Sequence, residues 1–203
     1  MRSGSIATIA IAVALYGAAP AAAQDGAYVN PYVGYYAFDE SSFEAAFDRA
    51  DVEESPILGA RLGWSSGAWG IEAAYGRSRF ETELRRDDVV FPDEETTIHL
   101  IYAATNWTLP LGPVRPFVSG GLGAVAYSPE NRDGATDVLA NFGGGLKVAF
   151  GERFRLRADV KDHVDLCEAP EFEEGEGSDD VGACFDDETL HNIEISGGVE
   201  IGL

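Results

Sequence analysis

Positive charge is scarce in this chain. Fourteen lysines and arginines face 35 aspartates and glutamates, for a formal net charge of −21. Such a chain lacks the basic surface that binding to a phosphate backbone requires, so no nucleic-acid partner is expected. Cysteine is scarcer still, with only Cys167 and Cys184. Two cysteines and three scattered histidines, His99, His163 and His191, make a poor zinc set. No metal centre and no cofactor are expected from them. Beyond residue 24 the chain also lacks any run approaching the ~20 apolar residues of a membrane helix. The one long apolar run, Ile6 to Tyr16, lies behind Met1-Arg2 and ends in Ala21-Ala22-Ala23 before Gln24. That is the pattern of a secretory signal peptide. Residues 1–23 are expected to be removed and residues 24–203 to form one domain. An exported chain meets an oxidising compartment, so Cys167 and Cys184 are expected to form a disulfide. Closing that loop would be worth about 3 kcal/mol on a chain-entropy model.

What the chain has is alternation. Its last fifteen residues read T-L-H-N-I-E-I-S-G-G-V-E-I-G-L. Ile193, Ile195, Val199, Ile201 and Leu203 fall on one face; Asn192, Glu194, Ser196 and Glu200 fall on the other. A period of two marks a strand. Val29 to Phe38 is aromatic and β-branched, which also suits a strand. Three strand pairs lie between. Ile57–Trp64 and Ala68–Gly76 are joined by Ser65-Ser66-Gly67. Thr97–Leu109 and Val114–Ala126 are joined by Pro110-Leu111-Gly112-Pro113. Thr136–Phe150 and Arg153–Lys161 flank Gly151-Glu152. These are turn sequences. The intervening stretches, 39–56, 77–96, 127–135 and 162–188, read as irregular and hold 28 of the 35 acidic residues. Eight strands whose connections alternate long and short predict an up-and-down barrel. All long acidic loops then lie at one end, with both termini at the other.

The faces decide between water and lipid. Parity puts Arg61, Glu72, Arg115, Asp137, Lys147, Arg155, Arg157, Asp159, Lys161, Glu194 and Glu200 on one face. Leu58, Leu62, Trp69, Ile71, Val118, Leu122, Phe142, Leu146, Val148, Phe154, Leu156 and Val160 lie opposite. Ile98 to Tyr102 reads either way, with Asn106 on the charged face and Trp107 on the apolar one. A soluble barrel would bury eleven ionisable groups or leave an apolar band in water, and both are costly. With lipid outside, the charged set lines a narrow lumen. The expected fold is all-β, an eight-stranded antiparallel up-and-down transmembrane β-barrel. An eight-stranded interior is just wide enough for side chains to fill it. Trp64, Trp69 and Trp107, each close to a short turn, suit an aromatic belt at one membrane interface.

Several stretches carry a family resemblance. They are Pro31-Tyr32-Val33-Gly34-Tyr35, Gly59-Ala60-Arg61-Leu62-Gly63-Trp64 with Trp69-Gly70-Ile71-Glu72, and Val114-Arg115-Pro116-Phe117-Val118-Ser119-Gly120-Gly121-Leu122-Gly123. The chain from Tyr28 to Leu203 resembles the eight-stranded outer-membrane β-barrels of the OmpA/OmpX-like "porin family". The resemblance implies a monomer in the outer membrane of a Gram-negative-type bacterium, with outer-membrane lipid and the barrel-assembly machinery as partners. It also makes Ser196, Gly198, Ile201 and Leu203 a C-terminal assembly signal, with leucine where an aromatic residue is commonest. A single barrel without a peptidoglycan-binding domain is expected.

Three readings of function follow. The first is a structural or surface-interaction barrel with a filled lumen, long acidic external loops and no catalytic residue. The second is a narrow channel for small solutes. The third is a barrel enzyme acting on lipid A, for which His163 and His191 with Asp162 and Asp165 are the nearest constellation, although no serine lies close to them. A soluble lipocalin-like binder fits least, since its lumen should be more apolar. The glycine clusters Gly120-Gly121 with Gly123 and Gly143-Gly144-Gly145 lack the lysine and helix of a phosphate loop. They read as places where strands bend. Asp179-Asp180 and Asp186-Asp187-Glu188 offer oxygen ligands for divalent cations, but the glycine-centred calcium loop is absent.

Overall fold

A computed structural model describes residues 25–37, 49–52, 55–86, 89–90, 94–129, 134–166 and 190–203. Ten strands account for its regular structure: β1 (Gly26–Ala37), β2 (Arg49–Val52), β3 (Ser55–Ser66), β4 (Trp69–Arg86), β5 (Val89–Val90), β6 (Glu94–Thr108), β7 (Val114–Pro129), β8 (Ala135–Phe150), β9 (Phe154–Leu166) and β10 (Leu190–Gly202). Eight of them form a closed antiparallel ring in the order β3-β1-β10-β9-β8-β7-β6-β4, which β4–β3 pairing completes. Closure leaves no unpaired edge, as crossing a bilayer demands. The two short strands β2 and β5 pair with the far end of β4, outside the ring.

The register sets the barrel's shape. Directly paired residues run Asn192, His163, Asn141, Gly121, Ala104, Glu72, Gly63 and Tyr28. Tyr28 then pairs with Gly202, so one circuit moves ten residues along β10. That stagger in an eight-stranded ring tilts the strands by roughly 40°. Short turns at Gly67–Ala68, Leu109–Pro113 and Gly151–Arg153 gather at one end with both ends of the described chain. This is the turn end; the other ends of the eight ring strands mark the opposite, loop end.

Outward faces are apolar. Leu58, Leu62, Trp69, Ile71, Val118, Leu122, Phe142, Leu146, Phe154, Leu156 and Val160 are each about half exposed. The inward face carries the charges. Close backbone approach explains two of the clustered glycines. A Cβ at Gly121 would strike the Ala103 carbonyl oxygen, and one at Gly145 the Ala158 carbonyl oxygen. At these two positions the glycines let neighbouring strands come together.

Several strand limits differ from the sequence reading. Residues 77–96 are largely strand, because β4 runs on to Arg86 and β6 starts at Glu94. Charge suggested a loop there, but Arg77-Ser78-Arg79-Phe80 keeps the period of two, with Ser78 and Phe80 buried. β9 likewise continues beyond Lys161 to Leu166, and β7 beyond Ala126 to Pro129. The signal-peptide region, both cysteines and the acidic runs at 179–180 and 186–188 lie outside the described residues.

Candidate functional site

Ten of the eleven inward charges expected from parity are buried: Arg61, Glu72, Arg115, Lys147, Arg155, Arg157, Asp159, Lys161, Glu194 and Glu200. The eleventh, Asp137, also faces inward and is half-buried. Nine of the eleven join one connected set of ion pairs.

Arg157 is its centre. It lies on β9 and reaches Glu72 on β4 through two nitrogens, at 2.7 and 3.2 Å. These strands stand four places apart whichever way the ring is followed, so the pair spans the lumen. A forked guanidinium on a carboxylate holds both distance and orientation. Arg157 also donates to Asp159, two residues along its own strand, at 2.9 and 3.0 Å. Glu72 accepts further bonds from Tyr28 Oη and Asn106 Nδ2, both at 3.0 Å. The strut is therefore held from both walls.

Two wings extend from it. Toward the loop end, Arg61 on β3 meets Glu194 at 2.8 Å and Asp159 at 3.6 Å. It also bonds Asn30 and Ser196, and its guanidinium lies 3.7 Å from the Tyr32 ring centre. Lys161 donates to Ser119 at 2.9 Å and lies 3.7 Å from Glu72. Toward the turn end, Glu200 on β10 is bridged by Arg155 and by Lys147, the latter at 3.1 Å. Arg115 sits at the mouth and donates to the Gly112 carbonyl at 3.2 Å. Asp137 stands apart near the loop end, outside the ion-pair set.

Parity over Arg153–Lys161 leaves out two inward groups, because β9 continues past Lys161 to Leu166. His163 bonds Glu194 at 3.2 Å, and Asp165 accepts from Tyr127 Oη at 2.6 Å and Asn192 Nδ2 at 3.1 Å. The signal was present: His163 and Asp165 alternate with Val164 and Leu166. With Asp165 counted, six basic and six acidic side chains face the lumen, so the interior is close to neutral. His163 and His191 lie on adjacent strands but point to opposite faces, since His191 is exposed and contacts Asp162 at 2.9 Å. They do not form one site. The lumen serines Ser119 and Ser196 bond Lys161 and the Glu194–Arg61 pair, not a histidine.

The loop-end half of the lumen is different. Tyr36, Ile57, Ile98, Leu100, Val125 and Leu139 are fully buried inside the ring and pack as one cluster. This resolves the ambiguous segment: Ile98, Leu100 and Tyr102 face inward, while Ile101 faces out. The lumen thus has an ionic layer beneath an apolar one. At the turn end a cavity of about 20 Å³ remains beside Tyr28, Arg115 and Lys147. That is room for roughly one water.

Trp64, Trp69 and Trp107 project outward beside the short turns, and the Trp69 and Trp107 rings lie 6.4 Å apart. At the chain's end, Ser196 and Gly198 face inward and Ile201 and Leu203 outward. Leu203 N donates to Ala27 O at 3.0 Å.

The model of the outer membrane protein beta-barrel domain family matches residues 8–199. Among solved structures, Neisserial surface protein A is similar at 13% identity and a TM-score of 0.59, covering 88% of this chain and 97% of that one. The outer membrane protein OprG of Pseudomonas aeruginosa is similar at 11% identity and a TM-score of 0.53, over 88% and 97%. The N-terminal β-barrel domain of Pseudomonas aeruginosa OprF is similar at 17% identity and a TM-score of 0.50, over 87% and 97%. At these identities the likeness is one of fold. Comparison with curated protein sequences gives no match.

Proposed function

Because the chain belongs to the outer membrane protein β-barrel family and resides in the outer membrane of a Gram-negative-type bacterium, we propose that it is a non-catalytic barrel that anchors a surface-exposed acidic face, with a lumen that does not conduct. One observation carries this reading: the filled lumen. The Glu72–Arg157 strut crosses it, the Ile98–Leu100–Leu139 layer packs above, and water-sized space is left below. A conducting pore needs a continuous wet path, and a neutral, paired interior offers no single-sign ring to draw ions in. The lumen charges then act as internal bracing. A narrow channel is the competing reading. Reconstituted into planar bilayers, the protein is expected to give no sustained ohmic steps. Regular single-channel steps would replace this reading with the channel.

The absence of a catalytic role rests on the arrangement of the histidines. His163 is enclosed with Glu194, and His191 faces outward beside Asp162. A nucleophile–base pair needs both groups within hydrogen-bond reach on one side of the wall. Lipid A isolated from cells lacking the protein is expected to carry unchanged acyl chains and phosphates. A lost modification would establish an enzyme. The acidic stretches would associate with divalent cations diffusely, as a solvated charge run does. Calorimetric titration with calcium is expected to show no stoichiometric site.

A further inference from the structure

The outward face of β4 and β6 changes chemistry within a few residues. Ala73 faces Ala103 across the pair; the rungs beyond are Tyr75 with Ile101, Arg77 with His99, and Arg79 with Thr97. Tyr75, Arg77 and Arg79 are exposed. β4 begins at Trp69, at the turn end. At ~3.3 Å per residue and a tilt of ~40°, Arg77 stands about 20 Å and Arg79 about 25 Å beyond that tryptophan. The apolar band of such barrels is about 25 Å tall. These arginines therefore lie where the acyl region of the loop-side leaflet gives way to its headgroups.

Their partners differ. Arg79 is paired with Glu95 at 3.1 Å. Among the described residues Arg77 has neither an ion-pair nor a hydrogen-bond partner. Beside it, Tyr75 Oη and His99 Nδ1 are 2.9 Å apart and their rings stack with centres 6.1 Å apart. On the opposite wall the outward ionisable pair is self-compensated, Asp162 with His191. An uncompensated guanidinium at an apolar edge is costly unless an anion meets it, and it matches a phosphate geometrically. Beyond the Tyr75–Ile101 rung an open apolar groove begins at Ala73 and Ala103 and runs toward the turn end, where Trp64 and Leu203 line it.

We propose that Arg77, His99 and Tyr75 bind a phosphate of the outer leaflet's phosphorylated glycolipid, lipid A, with acyl chains of the same molecule reaching the upper edge of the groove. The flat Tyr75–His99 stack lies where the phosphate-bearing sugar would rest. Acyl chains descending from that level meet Ala73 and Ala103 about 10 Å lower, four residues along the tilted strand. In a chain of net charge −21, this is a place on the outward wall where, among the described residues, a cation is left without a carboxylate. The site is independent of the lumen and requires only that the loop end face outward.

Native mass spectrometry of the full chain, folded as judged by heat-modifiable gel mobility, tests it. The probes are bisphosphorylated lipid A, its dephosphorylated form, and phosphatidylglycerol. The wild type is expected to retain one bisphosphorylated lipid A in preference to both others. The double variant Arg77→Ala/His99→Ala is expected to weaken that retention by about tenfold or more. Arg153→Ala, which removes an exposed charge at the turn end, is expected to leave it unchanged. Undiminished retention by the double variant, an equal loss in Arg153→Ala, or equal retention of dephosphorylated lipid A or phosphatidylglycerol would each overturn the proposal.

Discussion

Replacing Arg157 with methionine is expected to cost about 4 kcal/mol of unfolding free energy, which would make it among the most damaging single changes in the barrel. Methionine roughly fills the space, so the loss is electrostatic rather than a cavity. Glu72 would lose its two short bonds and Asp159 its neighbouring guanidinium. Lys161 remains, but at 3.7 Å from Glu72 and 3.9 Å from Asp159 it reaches neither closely. The two buried carboxylates would then hold only that distant ammonium and, for Asp159, Arg61 at 3.6 Å. Breaking a buried pair costs more than removing it altogether, because the orphaned charge stays desolvated. The double variant Glu72→Gln/Arg157→Met, which leaves Asp159 beside Arg61 and Lys161, is therefore expected to recover most of the loss. Urea unfolding in lipid vesicles, followed by tryptophan emission and gel mobility, reads both numbers. A single variant within about 1 kcal/mol of wild type would show that the strut is not a brace.

That strut also shows where sequence reasoning stops. Parity along Arg155, Arg157, Asp159 and Lys161 puts four charges on one face without any knowledge of the fold. It does not say which wall they meet. Glu72 opposes Arg157 because the ring has eight strands and a ten-residue stagger, and stagger accumulates from every turn and register together. Glu194 shows the same limit. It lies next to β9, yet its closest cation is Arg61 at 2.8 Å on β3.

The less legible half of the lumen is the apolar one. Ile98, Leu100 and Tyr102 alternate with His99, Ile101 and Ala103, so both faces carry apolar groups and the period gives no direction. Only the neighbouring strands settle it, since Ile57, Val125 and Leu139 converge on the same interior. The end of β4 was obscured for the opposite reason. Beyond the apolar band, outward positions become charged while the inward ones stay buried, so a continuing strand mimics a loop. Hydropathy marks where lipid stops; hydrogen bonding continues past it.

Deleting Ile201 to Leu203 is expected to reduce membrane insertion severely, by more than removing three loop residues would. The loss is first one of closure. Ile201 pairs with Val29 on β1 and with Phe154 on β9, Gly202 N donates to Arg153 O at 2.8 Å, and Leu203 N donates to Ala27 O at 3.0 Å. Without them the turn end of β1 faces lipid with open backbone groups, each costing several kcal/mol in a medium that cannot hydrogen-bond. Ile201 and Leu203 are also outward positions, and Leu203 is the most exposed large apolar side chain among the described residues, at 78%. An apolar side chain at an unburied chain end can be read by an assembly partner before the barrel closes. The two causes separate in one comparison. Leu203→Ser keeps the backbone bond to Ala27 but removes the side chain. If closure alone matters, Leu203→Ser inserts normally and only the deletion fails. If the terminal side chain is read during assembly, both fail in cells, while both the wild type and Leu203→Ser fold into lipid vesicles without help. Normal insertion of the deletion itself, measured as heat-modifiable protein in the outer-membrane fraction, would overturn both accounts.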